Sequence, residues 1–155
     1  MNLTDVFHKL ATQSIRKVQS LLGLVTLGAR AIILNNDNQI LLVKHTYQPH
    51  WHLPGGGIKK GESVKAAVLR ELREEVGLIT NEEPQLFGIY FHKCFDVYDY
   101  PIIYVIKNFS ITKVKSSEIE QTGWFSYDNL PAMINPGTKR RLDEYFTGVM
   151  KSEKW

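Results

Sequence analysis

Apolar residues recur along the chain at two spacings, one helical and one alternating. Leu3, Val6, Phe7, Leu10, Ile15, Val18, Leu21 and Leu22 follow a mostly helical period, with Asn2 or Thr4 able to cap the start and Gly23 to end it. The spacing predicts an amphipathic N-terminal helix over residues 1–23, packed on the rest of the domain or on a second subunit of a homodimer. Residues 26–34 and 39–44 read as strands joined by a hairpin at Asn35-Asn36-Asp37-Asn38. After a loop from His45 to Trp51 and the run Leu53-Pro54-Gly55-Gly56-Gly57, residues 64–76 have helical periodicity, with Ser63 as N-cap and Gly77 at the C-terminal glycine position. Residues 86–95 and 101–111 are rich in Phe, Tyr, Ile and Val and predict strands around a turn at 96–100, with Pro101 opening the second. A polar loop over 112–121, a short strand over 123–127, a turn at Asn129-Leu130-Pro131 and a helix over 138–146 follow. The order α-β-β-α-β-β-β-α predicts an α/β domain over residues 24–155, a mixed sheet flanked by helices.

Composition narrows this picture. The 155 residues suit one domain with one substantial core, and 43% hydrophobic with 23% charged residues is globular usage. The net charge of +3 suits an anionic small molecule, and without a concentrated basic stripe nucleic acid is not an expected partner. The single cysteine, Cys94, allows no internal disulfide, so a reducing, cytoplasmic location is expected. In its aromatic surroundings it reads as a small core residue rather than a nucleophile. The N-terminus lacks a basic start followed by an apolar block, and the most apolar stretch, residues 21–34, is short and interrupted by Arg30, so neither a secretory leader nor a membrane span is expected.

Chemistry concentrates after the glycines. Glu71, Glu74 and Glu75 stand at i, i+3 and i+4 and project from one helical face. Such a run usually marks a solvated surface. Here Glu71 and Glu75 share the angular sector of Val64 and Val68, so they point toward the domain body. Like charges crowded there repel, and raised pKa values or cations must relieve them. Carboxylate oxygens held in this way suit Mg²⁺ or Mn²⁺. The three glycines permit a tight turn and close approach of backbone to a ligand.

Residues Gly56, Glu62, Arg70, Glu71, Leu72, Glu74, Glu75, Gly77 and Leu78 resemble the Nudix box, a glycine followed at fixed intervals by glutamate, Arg-Glu, a glutamate pair and a final glycine. The resemblance implies the α/β/α sandwich of that family over residues 25–147, with the N-terminal helix as an addition. It also implies a Mg²⁺-dependent pyrophosphohydrolase that cleaves a nucleoside diphosphate-X compound or a nucleoside triphosphate through attack of metal-bound water. Glu71, Glu74, Glu75 and the carbonyl of Gly55 are the implied metal ligands. Glu118, six residues before Trp124, is the candidate later acid, with Glu120 as its alternative, and either Glu71 or Glu118 is the expected base. Arg70 is expected to orient a neighbouring glutamate, and Glu62 to anchor the loop to the helix.

Substrate identity lies outside the box. His45, Tyr47, Trp51 and His52 precede the glycines and are candidates for stacking on or hydrogen-bonding a base; each also suits a structural place. The markers of the coenzyme A, NADH and ADP-ribose groups are absent, and Lys59 stands where many relatives carry glutamate. The same fold hosts isopentenyl diphosphate isomerases and non-catalytic nucleotide-sensing modules. The intact glutamates argue against a non-catalytic module, and the isomerase would need a catalytic cysteine, a role for which Cys94 has little support.

Overall fold

The computed structural model describes residues 25–94 and 97–155. The expected N-terminal helix over residues 1–23 lies outside the described residues. The chain runs through β1 (Val25–Ile33), β2 (Ile40–His45), β3 (Trp51–His52), β4 (Gly55–Gly57), α1 (Val64–Val76), β5 (Leu78–Ile79), β6 (Gln85–Ile89), β7 (His92–Cys94), β8 (Val97–Ile106), β9 (Ser110–Ile111), β10 (Ile119–Phe125), a 3-10 turn (Tyr127–Asn129) and α2 (Pro136–Thr147). A mixed sheet is ordered β4-β1-β8-β6, with β7 also pairing β8; β10-β2-β3 form a second sheet and β5-β9 a third. β1 and β8 are parallel, with Arg30 opposite Ile103, whereas β4, β6 and β7 are antiparallel to their neighbours.

Alternation along β1 explains the layers. Ala29, Ala31 and Ile33 face α1 and pack with Ala67, Val68, Leu72 and Val76. Ile32 and Leu34 face the other way, toward Leu142 of α2. A strand exposes successive side chains on opposite faces, so one apolar strand serves two cores. The result is an α/β domain with a helix on each side of the mixed sheet, as expected.

The helices follow local rules. Ser63 Oγ accepts from the N–H of Ala66, and Gly77 closes α1 at φ 68°, a left-handed conformation suited to glycine. Asn135 caps α2, Pro136 occupies its first turn, and Gly148 ends it. α2 therefore starts before the expected residue 138.

Several strands depart from the sequence expectation. β1 and β2 do not form a continuous hairpin: the linker turns through Asn38 at φ 56°, but only the Leu34–Ile40 bridge joins the strands, which enter different sheets. The glycine run, expected as loop, is strand β4. The turn expected at 96–100 is strand from Val97 onward, because those residues pair with both β7 and β1. Pro101 lies inside β8, where its carbonyl accepts from the N–H of Tyr90. A residue's N and carbonyl point to the same side of a strand, so its missing donor falls at the break between β6 and β7. β10 begins at Ile119, inside the expected polar loop, and pairs with β2.

Candidate active site

β4 brings the glycines onto the acidic face of α1. Gly55 has φ 132°, and a Cβ there would meet the Ala29 carbonyl at 2.2 Å, so only glycine fits. Its N–H donates to Glu75 Oε2 at 2.8 Å. At Gly56 a Cβ would fall 2.7 Å from the carboxyl carbon of Glu71. Both inward carboxylates therefore lie directly against glycine backbone.

Arg70 ties the assembly. Its Nε and Nη2 donate to the two oxygens of Glu62 at 2.8 and 3.0 Å, its Nη1 to Glu71 at 2.6 Å and Glu74 at 3.2 Å, and its Nη2 also to the Gly57 carbonyl at 3.0 Å. Glu62 also accepts from the N–H of Lys59. Arg70, with Lys59 second, holds the Glu62 carboxyl down to about 2, while Glu62 and Glu71 hold the Arg70 guanidinium above its ordinary value. These charge-assisted bonds join loop, β4 and helix.

The helix glutamates are not equivalent, although their spacing puts them on one face. Glu75 is 7% exposed, whereas the Glu74 side chain is 55% exposed. Burial pushes the Glu75 carboxyl up to about 7; its bond to Gly55 and the positive charge of Arg30 oppose the rise, and the negative charges of Glu71 and Glu118 add to it. Glu118 is exposed, and its backbone carbonyl accepts from Thr46 N–H, which fixes the strand leading into β10 beside the His45–Tyr47 segment. Glu120 is instead paired with Lys44 at 3.1 Å. The charge of Glu118 therefore reaches Glu75, while Glu120 faces Lys44.

The candidate base-binding residues divide. His45 is buried, with Nε2 4.0 Å from Glu75 Oε1 and Nδ1 without a protein partner. Burial, then the charge of Arg30, lowers its pKa to about 4. His52, also buried, is lowered to about 3 by the same two causes, and then by His45 and His50. Both rings are therefore neutral near pH 7, and the 4.0 Å contact with Glu75 is not an ion pair. Tyr47 stacks on His45 with centroids 5.2 Å apart, and it leaves 41% of its surface exposed. Its hydroxyl pKa is raised by partial burial, then by Glu118 and Glu75. Trp51 is placed differently. Its ring packs edge-on against Phe125 and within reach of Gly123, in the core cluster on the α2 side. That place favours a structural role.

Arg30 is the functional candidate that sequence reasoning missed. Its Nη1 donates to the Leu53 carbonyl at 3.2 Å, and its charge acts on His45, Tyr47, His52 and Glu75 together. The available signal was a charged residue inside the apolar run of β1, which bore only on the absence of a membrane span.

Among the described residues, no group of three or more His, Cys, Asp or Glu side chains forms a ready-made metal cage. Glu71 and Glu74 are held by Arg70, and Glu75 by Gly55. The donor chemistry nevertheless fits a hard divalent cation: the glutamates supply carboxylate oxygens, and Glu75 is crowded by burial and like charge that a cation would relieve.

Comparison with known proteins agrees with this geometry. The NUDIX domain model matches residues 25–145. The chain is 32% identical over 124 residues to a Bacillus subtilis (strain 168) protein named "Putative 8-oxo-dGTP diphosphatase", covering 80% of this chain and 82% of that one. It is 31% identical over 106 residues to an ADP-ribose pyrophosphatase of Methanocaldococcus jannaschii, covering 65% of this chain and 62% of that one. The crystal structure of a MutT NUDIX hydrolase from Burkholderia pseudomallei superposes with a TM-score of 0.68 at 31% identity, covering 76% of this chain and 95% of that one.

Proposed function

The chain belongs to the Nudix family, whose relatives are hydrolases of phosphoric anhydride bonds, and we propose that it cleaves the pyrophosphate linkage of a nucleoside diphosphate-X compound or a nucleoside triphosphate with the help of Mg²⁺ or Mn²⁺. One observation carries the reading: the carboxylates of Glu71 and Glu75 are pressed against the glycine strand, with the charge of Glu118 acting on Glu75. The compounds for which two relatives are named, 8-oxo-dGTP and ADP-ribose, share a nucleoside diphosphate portion, which is the substrate chemistry proposed here.

Glu71, Glu74, Glu75, Glu118 and the Gly55 carbonyl would hold the metal. When bound, it would lower the pKa of water and neutralise charge on the phosphoryl oxygens. Arg70 fixes Glu71, and the Gly55 N–H fixes Glu75, so neither carboxylate must reorganise during reaction. Glu71 or Glu118 takes the proton of the attacking water. Tyr47, exposed and backed by His45, offers a ring face to a base.

The test is a panel of nucleoside triphosphates, nucleoside diphosphate sugars and dinucleotides, with Mg²⁺ and then with excess chelator, resolved by product mass in ¹⁸O-water. Expected is a phosphorylated nucleoside plus a second phosphate-bearing fragment, with label at phosphorus in one product, and loss of turnover in chelator. Full turnover in chelator would remove the metal assignment. Unchanged phosphate count with isomerised product would favour the isomerase, and binding without turnover the sensing module.

A further inference from the structure

The α1-facing side of the mixed sheet is wider than α1. Beyond the helix, on the same face, β1 presents Val25 and Leu27, β8 presents Tyr98 opposite Val25, and β6 presents Leu86 and Ile89 opposite Tyr104 and Ile102. These five side chains are between 40% and 59% exposed. Phe91 bridges the group, its ring stacked at 6.0 Å on Tyr98. On the opposite face of the same strand pair, Thr26 hydrogen-bonds Asp99, whereas on this face the exposed Lys93 of β7, register partner of Tyr98, lays its ammonium over the Tyr98 ring at 5.6 Å and borders the apolar group. A contiguous apolar sheet face of this kind, continuous with a core, is a surface that something covers.

We infer that residues 3–22 of the same chain cover it. Chain geometry supports this occupant. Val25, at the rim of the face, is separated from Leu22 by only Gly23 and Leu24. The Cα of Leu22 therefore lies within about 11 Å of that of Val25, three virtual bonds away. The segment's apolar side chains fit. At about 100° per residue, Leu3, Val6, Phe7, Leu10, Ile15, Val18, Leu21 and Leu22 fall within one half of a helical wheel, Asp5, Lys9 and Arg16 fall in the other, and Lys17 is the one charged residue in the apolar half. Twenty helical residues span about 30 Å, more than the roughly 10 Å from β1 across β8 to β6.

The experiment uses the full chain. Its mass is measured by light scattering, the protection of residues 3–22 by amide hydrogen exchange, and the accessibility of Leu86, Ile89 and Tyr98 by hydroxyl-radical oxidation. The expected result is a monomer with amides in 3–22 protected at least about tenfold and with those three side chains shielded. Leu10→Asp should remove the amide protection and raise oxidation of all three, whereas Lys9→Asp, on the polar side, should change neither. Ile89→Asp, an exposed change on the sheet, should release the segment in the same way. An unprotected segment in the wild type, or a face still shielded in Leu10→Asp, would overturn the assignment. Shielding that disappears as a dimer dissociates on dilution would give the face to a second copy and overturn it as well.

Discussion

Glu75 concentrates the conflict that the site has to resolve. In the unfolded chain its carboxyl titrates near 4.5, and in the folded protein near 7. Between those values the native state keeps a proton that the unfolded state has lost, so stability falls as pH rises through this window and the loss is complete above about 7. Each unit of such a shift corresponds to about 1.4 kcal/mol. His45 and His52 act with the opposite sign: with pKa values of about 4 and 3 against 6.5, they reduce stability as pH falls below 6.5. Comparing variant with wild type at each pH separates these contributions. Metal-free Glu75→Gln should gain stability over wild type at pH 8 and little at pH 5, read by urea denaturation. A gain independent of pH would show that carboxyl ionisation is not its cause. The same substitution should lower kcat at least about 100-fold, the scale of losing one strong electrostatic stabiliser. Activity within threefold of wild type would remove Glu75 from the metal site.

At the scale of elements, legibility followed the range of the interactions. α1 was readable to its caps because Ser63, the apolar period and Gly77 act within a few residues of one another. The start of β8 was not, because Tyr98–Tyr100 pair with Val25–Leu27, far away in sequence, as well as with nearby β7. The glycines signalled close approach, but the carboxylates they would meet could not be read from their spacing. Trp51 was open to base stacking or to a structural place, and its edge-on contact with Phe125, across the chain, could not be read from its neighbours in sequence. Two glycine variants separate these effects. Gly77→Ala meets both a left-handed φ of 68° and the Thr112 carbonyl at 2.0 Å, so it should cost at least about 1 kcal/mol in urea. Gly56→Ala has no positive φ to oppose; the atoms nearest its Cβ are those of the Glu71 carboxylate. It should lower kcat at least about tenfold, about 1.4 kcal/mol of transition-state energy, while shifting stability less than Gly77→Ala. Equal stability losses with unchanged kcat would mean that the contact with Glu71 has no bearing on the reaction.

For the whole molecule, the site is a meeting of separate layers rather than a property of one helix. Arg30 comes from β1, His45 from the end of β2, Gly55 from β4, the three acids from α1 and Glu118 from the approach to β10. A ligand that binds only this assembled arrangement stabilises the entire fold, by about 2.7 kcal/mol at a hundredfold excess over its Kd. Mg²⁺ should therefore raise the melting temperature, and the rise should depend on pH. Binding requires ionised carboxylates, and Glu75 holds its proton until about pH 7. At pH 5.5 the cation must displace that proton, whereas at pH 8 it meets a charged group that is already destabilising the native state. The Mg²⁺-induced shift in melting temperature should accordingly be larger at pH 8 than at pH 5.5. In Glu75→Gln it should be smaller and should lose the part of its pH dependence that Glu75 supplies. Differential scanning calorimetry across that pH range, with Ca²⁺-free Mg²⁺ and with chelator, measures both effects. Equal shifts at the two pH values in the wild type would mean that Mg²⁺ binds somewhere other than the buried carboxylate of α1.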